Sequence, residues 1–135
     1  MNWLTGGRFA QVSAKGLIAQ LADSTKRDNA AKELIKLGTD AVPPLIDALQ
    51  TQDLNLLAIY EQIPARIPSA SPMLTKTLAT AHPILRARVA DVLAISKDKT
   101  AVPALLDALQ GEYFTVRARA ALALGKIGDT RAIQP

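Results

Sequence analysis

Ten residues recur almost unchanged within a chain of 135: "AVPPLIDALQ" at 41–50 and "AVPALLDALQ" at 101–110. They differ only at Pro44 against Ala104 and Ile46 against Leu106. Midway, "ASPMLTKTLA" at 70–79 keeps Ala70, Pro72, Leu74 and Leu78 in the register of Ala41, Pro43, Leu45 and Leu49. A further copy begins at Ala132, and successive copies start 29, 31 and 31 residues apart. Self-similarity at a period of this size marks a chain built from one stacked supersecondary unit.

The segment ahead of each copy repeats as well. "VRARAALALGKIG" at 116–128 lies over "LRARVADVLAISK" at 85–97 and "KRDNAAKELIKLG" at 26–38, with Arg117, Ala121 and Leu124 matched by Arg86, Ala90 and Leu93. Leu85, Val89, Val92 and Leu93 fall on one face of a helix, as do Val42, Leu45, Ile46 and Leu49. Between the two helices of a unit stands a turn, "GTD" at 38–40, "KDKT" at 97–100 and "GDTR" at 128–131. Gly38 and Gly128 occupy the place where a helix end favours a left-handed residue. Pro43, Pro72 and Pro103 occupy the first turn of the second helix, where a missing N–H costs nothing. The duplication is therefore one of structure, a helix–turn–helix repeated.

These residues predict an all-α fold, a right-handed α-solenoid of helical hairpins in a single domain. An N-terminal capping helix falls within 1–23, repeats span 24–52, 53–81 and 82–112, and residues 113–135 start a further repeat. The second repeat departs from the others: Pro64 stands in place of glycine, the turn is about two residues longer, and Thr75 replaces Ile46 and Leu106. A locally irregular corner is expected there, and Glu61 and Arg66 beside it are read as part of that packing irregularity.

"VRARAALALGKIGDTRAI", taken with a helix of the "AVPALLDALQ" type, resembles the HEAT repeat, in particular the short bacterial form called the PBS-lyase HEAT-like repeat. The resemblance covers 24–135. It implies the solenoid fold strongly and a particular function weakly, because such repeats serve unrelated roles.

Composition narrows the chemistry. There is no cysteine and one histidine, His82, so thiolate sites and paired-histidine metal sites are excluded. The apolar half of the chain is aliphatic, with aromatics at 4%, which suits helix packing and leaves little to line a chromophore pocket. No apolar run reaches the roughly 18 residues of a membrane span, and the N-terminus lacks the pattern of a secretory signal; a cytoplasmic protein is expected. No phosphate loop, nucleophile elbow or metal motif appears, so neither an enzyme nor a cofactor is expected.

Charge needs a separate account. The net +4 arises entirely beyond residue 68, where nine basic residues face five acidic ones. A phosphate-binding surface wants a contiguous basic stripe, often with stacking aromatics. The outward positions of the second helices instead read Asp47, Gln50, Lys76, Asp107 and Gln110, a mixed surface suited to a protein partner, and nucleic acid is not expected. Arg86, Arg88, Arg117 and Arg119 recur on the flanks of the first helices. They are read as a structural ladder, with Arg86 and Arg117 bonded to turn carboxylates such as Asp98 and Asp129. His82, before Pro83, is expected to be an extended residue at a helix start. Tyr113 and Phe114 are expected to staple the inter-repeat turn.

Function on this reading is a non-catalytic scaffold for another protein, with attachment of a bilin (a tetrapyrrole) as the reading that the repeat's resemblance to phycobilin lyases suggests. The last helix, with Leu124 and Ile127, lacks its usual partner in the sequence. That predicts an uncovered apolar face, and hence a longer repeat protein or self-association through this end.

Overall fold

The computed structural model describes residues 7–128. They are all-α: α1 (Gly7–Gln20), α2 (Arg27–Leu37), α3 (Val42–Ala48), α4 (Leu54–Gln62), α5 (Ser71–Thr80), α6 (Pro83–Ser96), α7 (Val102–Ala108) and α8 (Phe114–Ile127), with no strand among the described residues. The order is the one the repeat predicts: a single helix, three helix pairs and the first helix of another.

Each second helix is entered through a turn of 3-10 helix that the periodicity did not announce: Gly38–Ala41, Pro68–Ala70 and Lys99–Ala101. Pro43, Pro72 and Pro103 then fall in the first two helical positions of α3, α5 and α7. There the ring fixes a helical φ and no ladder donor is lost. All three helices begin one residue before that proline, but α3 and α7 run for seven residues and α5 for ten.

The ends of the first helices share one backbone device. Gly38 (φ 64°), Lys97 (φ 54°) and Gly128 (φ 75°) all have positive φ, and Lys97 is the only non-glycine residue to do so among the described residues. Lys97 and Gly128 are left-handed and donate their N–H groups to Leu93 and Leu124. In the second repeat Pro64 replaces this residue. Its fixed negative φ forbids the left-handed exit. The chain leaves α4 through the turn Pro64–Arg66 and a second turn, Pro68–Ala70. This is the irregular corner expected around Glu61 and Arg66: Glu61 is half-buried on α4 and Arg66 exposed on the turn.

That corner also divides the chain into two compact units, Met1–Ser69 and Ala70–Pro135. In the first, α1 packs on α2 and α3, and α3 on α4. Its core is Leu21, Ala30, Leu34, Val42, Leu45, Leu49, Ile63 and Ile67, each at most 3% exposed. In the second, α6 packs on α5 and α8, and α7 on α5 and α8. Helix α6 buries Leu85, Ala87, Val89, Ala90, Val92, Leu93 and Ala94, far more than the one stripe read from its sequence. A helix covered by neighbours on several sides is apolar nearly all round. Small residues do this at close range: Ala87, Ala90 and Ala94 on α6 and Ala120 and Ala123 on α8 are buried.

The apolar face of α8 is where the sequence expectation fails. Leu124 is 1% exposed and Ile127 6%, because α6 and α7 cover them. The uncovered end on which self-association rested does not exist at these residues. What α8 exposes is Phe114 at its start and Leu122 on its outer side.

Candidate functional surface

The five polar residues picked out on the second helices are all exposed: Asp47 and Gln50 in the first unit, Lys76, Asp107 and Gln110 in the second. Their exposure follows from the buried stripe. Leu45, Ile46 and Leu49 face inward on one side of α3, which leaves Asp47 and Gln50 outward. Leu105 does the same for Asp107. Gln50 Nε2 donates to Asp47 Oδ1 at 3.2 Å, a bond between surface groups that holds the pair in one orientation.

The arginine ladder takes partners other than those expected. Arg27 Nε donates to the main-chain oxygen of Leu21 at 2.8 Å, and Arg117 Nη1 to that of Gly111 at 2.9 Å. Each reaches back six residues to the loop before its own helix, where a carbonyl left over from the preceding helix end needs a donor. Neither pairs with a carboxylate among the described residues. Asp98 is already engaged: its Oδ1 accepts from Thr100 N at 2.9 Å and from Thr100 Oγ1 at 2.6 Å. Ser71 Oγ lies 3.1 Å from Thr100 Oγ1. Burial raises the Asp98 pKa, but the hydroxyls of Ser71 and Thr100 and the Thr100 N–H outweigh it, and the net shift is downward. The other carboxylate of the expected ladder, Asp129, lies outside the described residues.

Arg86, the counterpart of Arg117, makes no side-chain hydrogen bond among the described residues, and its Nε is shielded from water. Its guanidinium lies over the Tyr113 ring, 5.4 Å from the centroid. Arg117 lies over Phe114 in the same way at 5.9 Å. These rings are therefore platforms for arginine and do not staple the turn from within: Tyr113 is 41% exposed and Phe114 74%. Arg119 pairs with Asp91 of α6 at 3.3 Å, an exposed pair of small worth. His82 fulfils its expectation. It is extended (φ −68°, ψ 160°), and its Nδ1 accepts from Leu85 N at 3.3 Å, capping α6.

No group of three or more metal-ligating side chains occurs among the described residues, and none of their helices is long and apolar enough to cross a membrane. What the sequence could not single out is Arg86 as the exception among three arginines, since its letter and register match the other two.

Comparison with known proteins agrees with the architecture. The family described as HEAT repeats matches residues 71–135, and the PBS lyase HEAT-like repeat matches residues 26–51. No curated protein matches the chain. The two matches fall on the helix pairs whose turns, prolines and buried stripes recur in the structure, and the chain belongs to the HEAT-repeat family.

Proposed function

We propose that the chain is a scaffold that binds another protein through the exposed polar residues of its second helices, with no catalytic chemistry of its own. The observation that carries this reading is the contrast within α3 and α7. The apolar stripe is buried at Val42, Leu45, Ile46 and Leu49 and at Val102 and Leu105, with Leu106 and Leu109 half-buried, while Asp47, Gln50, Asp107 and Gln110 recur outward at the same repeat positions. Repetition of a donor–acceptor pattern on rigid elements suits recognition of a partner surface. The mixture of signs at these positions does not suit a phosphate backbone.

The test reverses charge at two of these positions. Asp47→Lys together with Asp107→Lys leaves the core untouched and should abolish capture of the partner that the wild-type chain retains. Unchanged capture by a folded double variant contradicts the proposal.

Attachment of a bilin is the second reading, and the match of residues 26–51 to the PBS lyase HEAT-like repeat favours it. Against it, Tyr113 and Phe114 each already carry an arginine. The scaffold reading expects no change in a bilin's absorption spectrum on mixing with the chain.

A further inference from the structure

Helix α8 is apolar on two opposite sides. Val116, Ala120, Ala123, Leu124 and Ile127 are buried against α6 and α7. On the far side Phe114, Ala118, Leu122 and Gly125 follow one another at helical spacing and form a second row. Phe114 is 74% and Leu122 57% exposed; Gly125 is exposed and Ala118 half-buried. The same row one period earlier shows what such a face accepts. On α6 it reads Ala87, Asp91 and Ala94, in register with Ala118, Leu122 and Gly125. There Asp91 meets Arg119 of α8 at 3.3 Å, and Ala87 and Ala94 are each 6% exposed. The row on α6 takes a helix, and its repeat on α8 is bare.

Gly125 is an independent sign that another surface belongs on this row. A glycine inside a helix destabilises it relative to alanine. A Cβ on Gly125 would meet nothing within 4 Å, so the chain's own packing does not ask for a glycine; close approach by another molecule does. Shape and charge then favour a second copy of α8, running antiparallel. About a two-fold axis beside Arg119 and Ala120, Phe114 of each copy lies over Gly125 of the other, and Leu122 over Ala118 and Ala121. Large meets small at each step. The same register sets Lys126, in the last turn of α8, beside Glu112, just ahead of its first turn. Both are exposed, and neither forms an ion pair among the described residues. Arg119 meets its own copy near the axis, but Asp91 already matches its charge. A helix stacked instead as α8 stacks on α6 would bring an arginine to Leu122, with no carboxylate there to receive it.

We propose that the outer row of α8 is a self-association face. Two copies of the chain pair antiparallel through Phe114, Ala118, Leu122 and Gly125, with Lys126 of each facing Glu112 of the other. One helix against one helix covers less than the roughly 1,200–2,000 Å² of a stable interface, so the dimer is weak and the chain is a monomer in dilute solution. The face is separate from the polar positions of α3 and α7, and neither reading depends on the other.

The test is sedimentation equilibrium of the full chain over a wide range of concentration. A monomer–dimer equilibrium is expected with no larger species, because a two-fold contact closes on itself. Lys126→Glu and Glu112→Lys should each weaken the dimer about tenfold or more, since like charges then face each other twice. The double variant restores both pairs with the signs exchanged and should recover wild-type association. Gly125→Gln should stabilise the monomer in thermal melts, as the better helix former, yet weaken the dimer. Ile84→Gln, at an exposed apolar residue of α6, should leave association unchanged. A monomer at every concentration would leave the row to a different partner and overturn the proposal. So would association that continues past the dimer, a double variant no better than the single ones, undiminished association by Gly125→Gln, or its loss in Ile84→Gln.

Discussion

Arg117 and Gly111 are joined across six residues by a 2.9 Å hydrogen bond from guanidinium to main-chain oxygen, and Arg27 and Leu21 repeat the arrangement at 2.8 Å. The arginine of each of these repeats thereby ties the start of a first helix to the loop that delivers it. A carbonyl at a helix end has no intrahelical donor, and a charge-assisted bond to it is stronger than a neutral one.

Arg117→Ala should therefore lower stability by about 1.5–3 kcal/mol, the range for a hydrogen bond to a charged group. Arg86→Ala should cost less, because Arg86 makes no such bond among the described residues and gives up only its contact with Tyr113. Urea unfolding midpoints of the two variants check the order. Equal losses would mean that the carbonyl bond is not what the arginine contributes.

Lys97 occupies a left-handed conformation that the equivalent Gly128 adopts without strain. Lys97→Gly should stabilise by up to about 1 kcal/mol, since a left-handed side chain costs roughly 1–2 kcal/mol and the glycine returns part of that as unfolded-state entropy. Gly128→Ala should destabilise by a similar amount. Thermal melts of both variants test the pair, and a loss of stability in Lys97→Gly contradicts it.

Leu124 and Leu122 lie two residues apart on α8, the first 1% and the second 57% exposed. Leu124→Ala should cost about 2–5 kcal/mol, as for other buried leucines, and Leu122→Ala less than about 0.5 kcal/mol. Similar costs at the two positions would show that α6 and α7 do not cover this face in solution.

Acid should weaken the second unit through Asp98. Its pKa is lower folded than unfolded, so its contribution is fully present above the ordinary carboxylate range and is lost as pH falls through the lowered value. Asp98→Asn keeps an acceptor for Thr100 but cannot titrate. The variant should show a shallower loss of stability between neutral and acid pH than the wild type, read from denaturant midpoints across that range. Parallel curves would remove Asp98 from the account.

Much of this architecture was legible because it rests on spacing. The stripe Val42, Leu45, Ile46, Leu49 and the prolines Pro43, Pro72 and Pro103 locate the second helices, since burial needs the first and the helix start tolerates the second. The exposed set Asp47, Gln50, Lys76, Asp107 and Gln110 follows from the same stripe. The arginine partners were not legible. A carboxylate is visible as a letter, whereas the carbonyls of Leu21 and Gly111 belong to every residue alike, and only the fold shows which are left without a donor. The cover over Leu124 and Ile127 was missed for a related reason. The sequence offered no second helix beyond them, but α6 and α7 already supplied the surface. Lys97 carries no glycine to announce its positive φ; only alignment with Gly128 points to it.

The central claim, that the second helices present the binding surface, is tested most directly by site-specific photo-cross-linking. A photoreactive residue is placed in turn at Asp47, Lys76 and Asp107, and, as a control on a first helix, at Lys32, all exposed positions. The account predicts a discrete protein adduct from the first three positions and none from Lys32. An adduct from the first-helix position alone, or no adduct from any of the four, would contradict it.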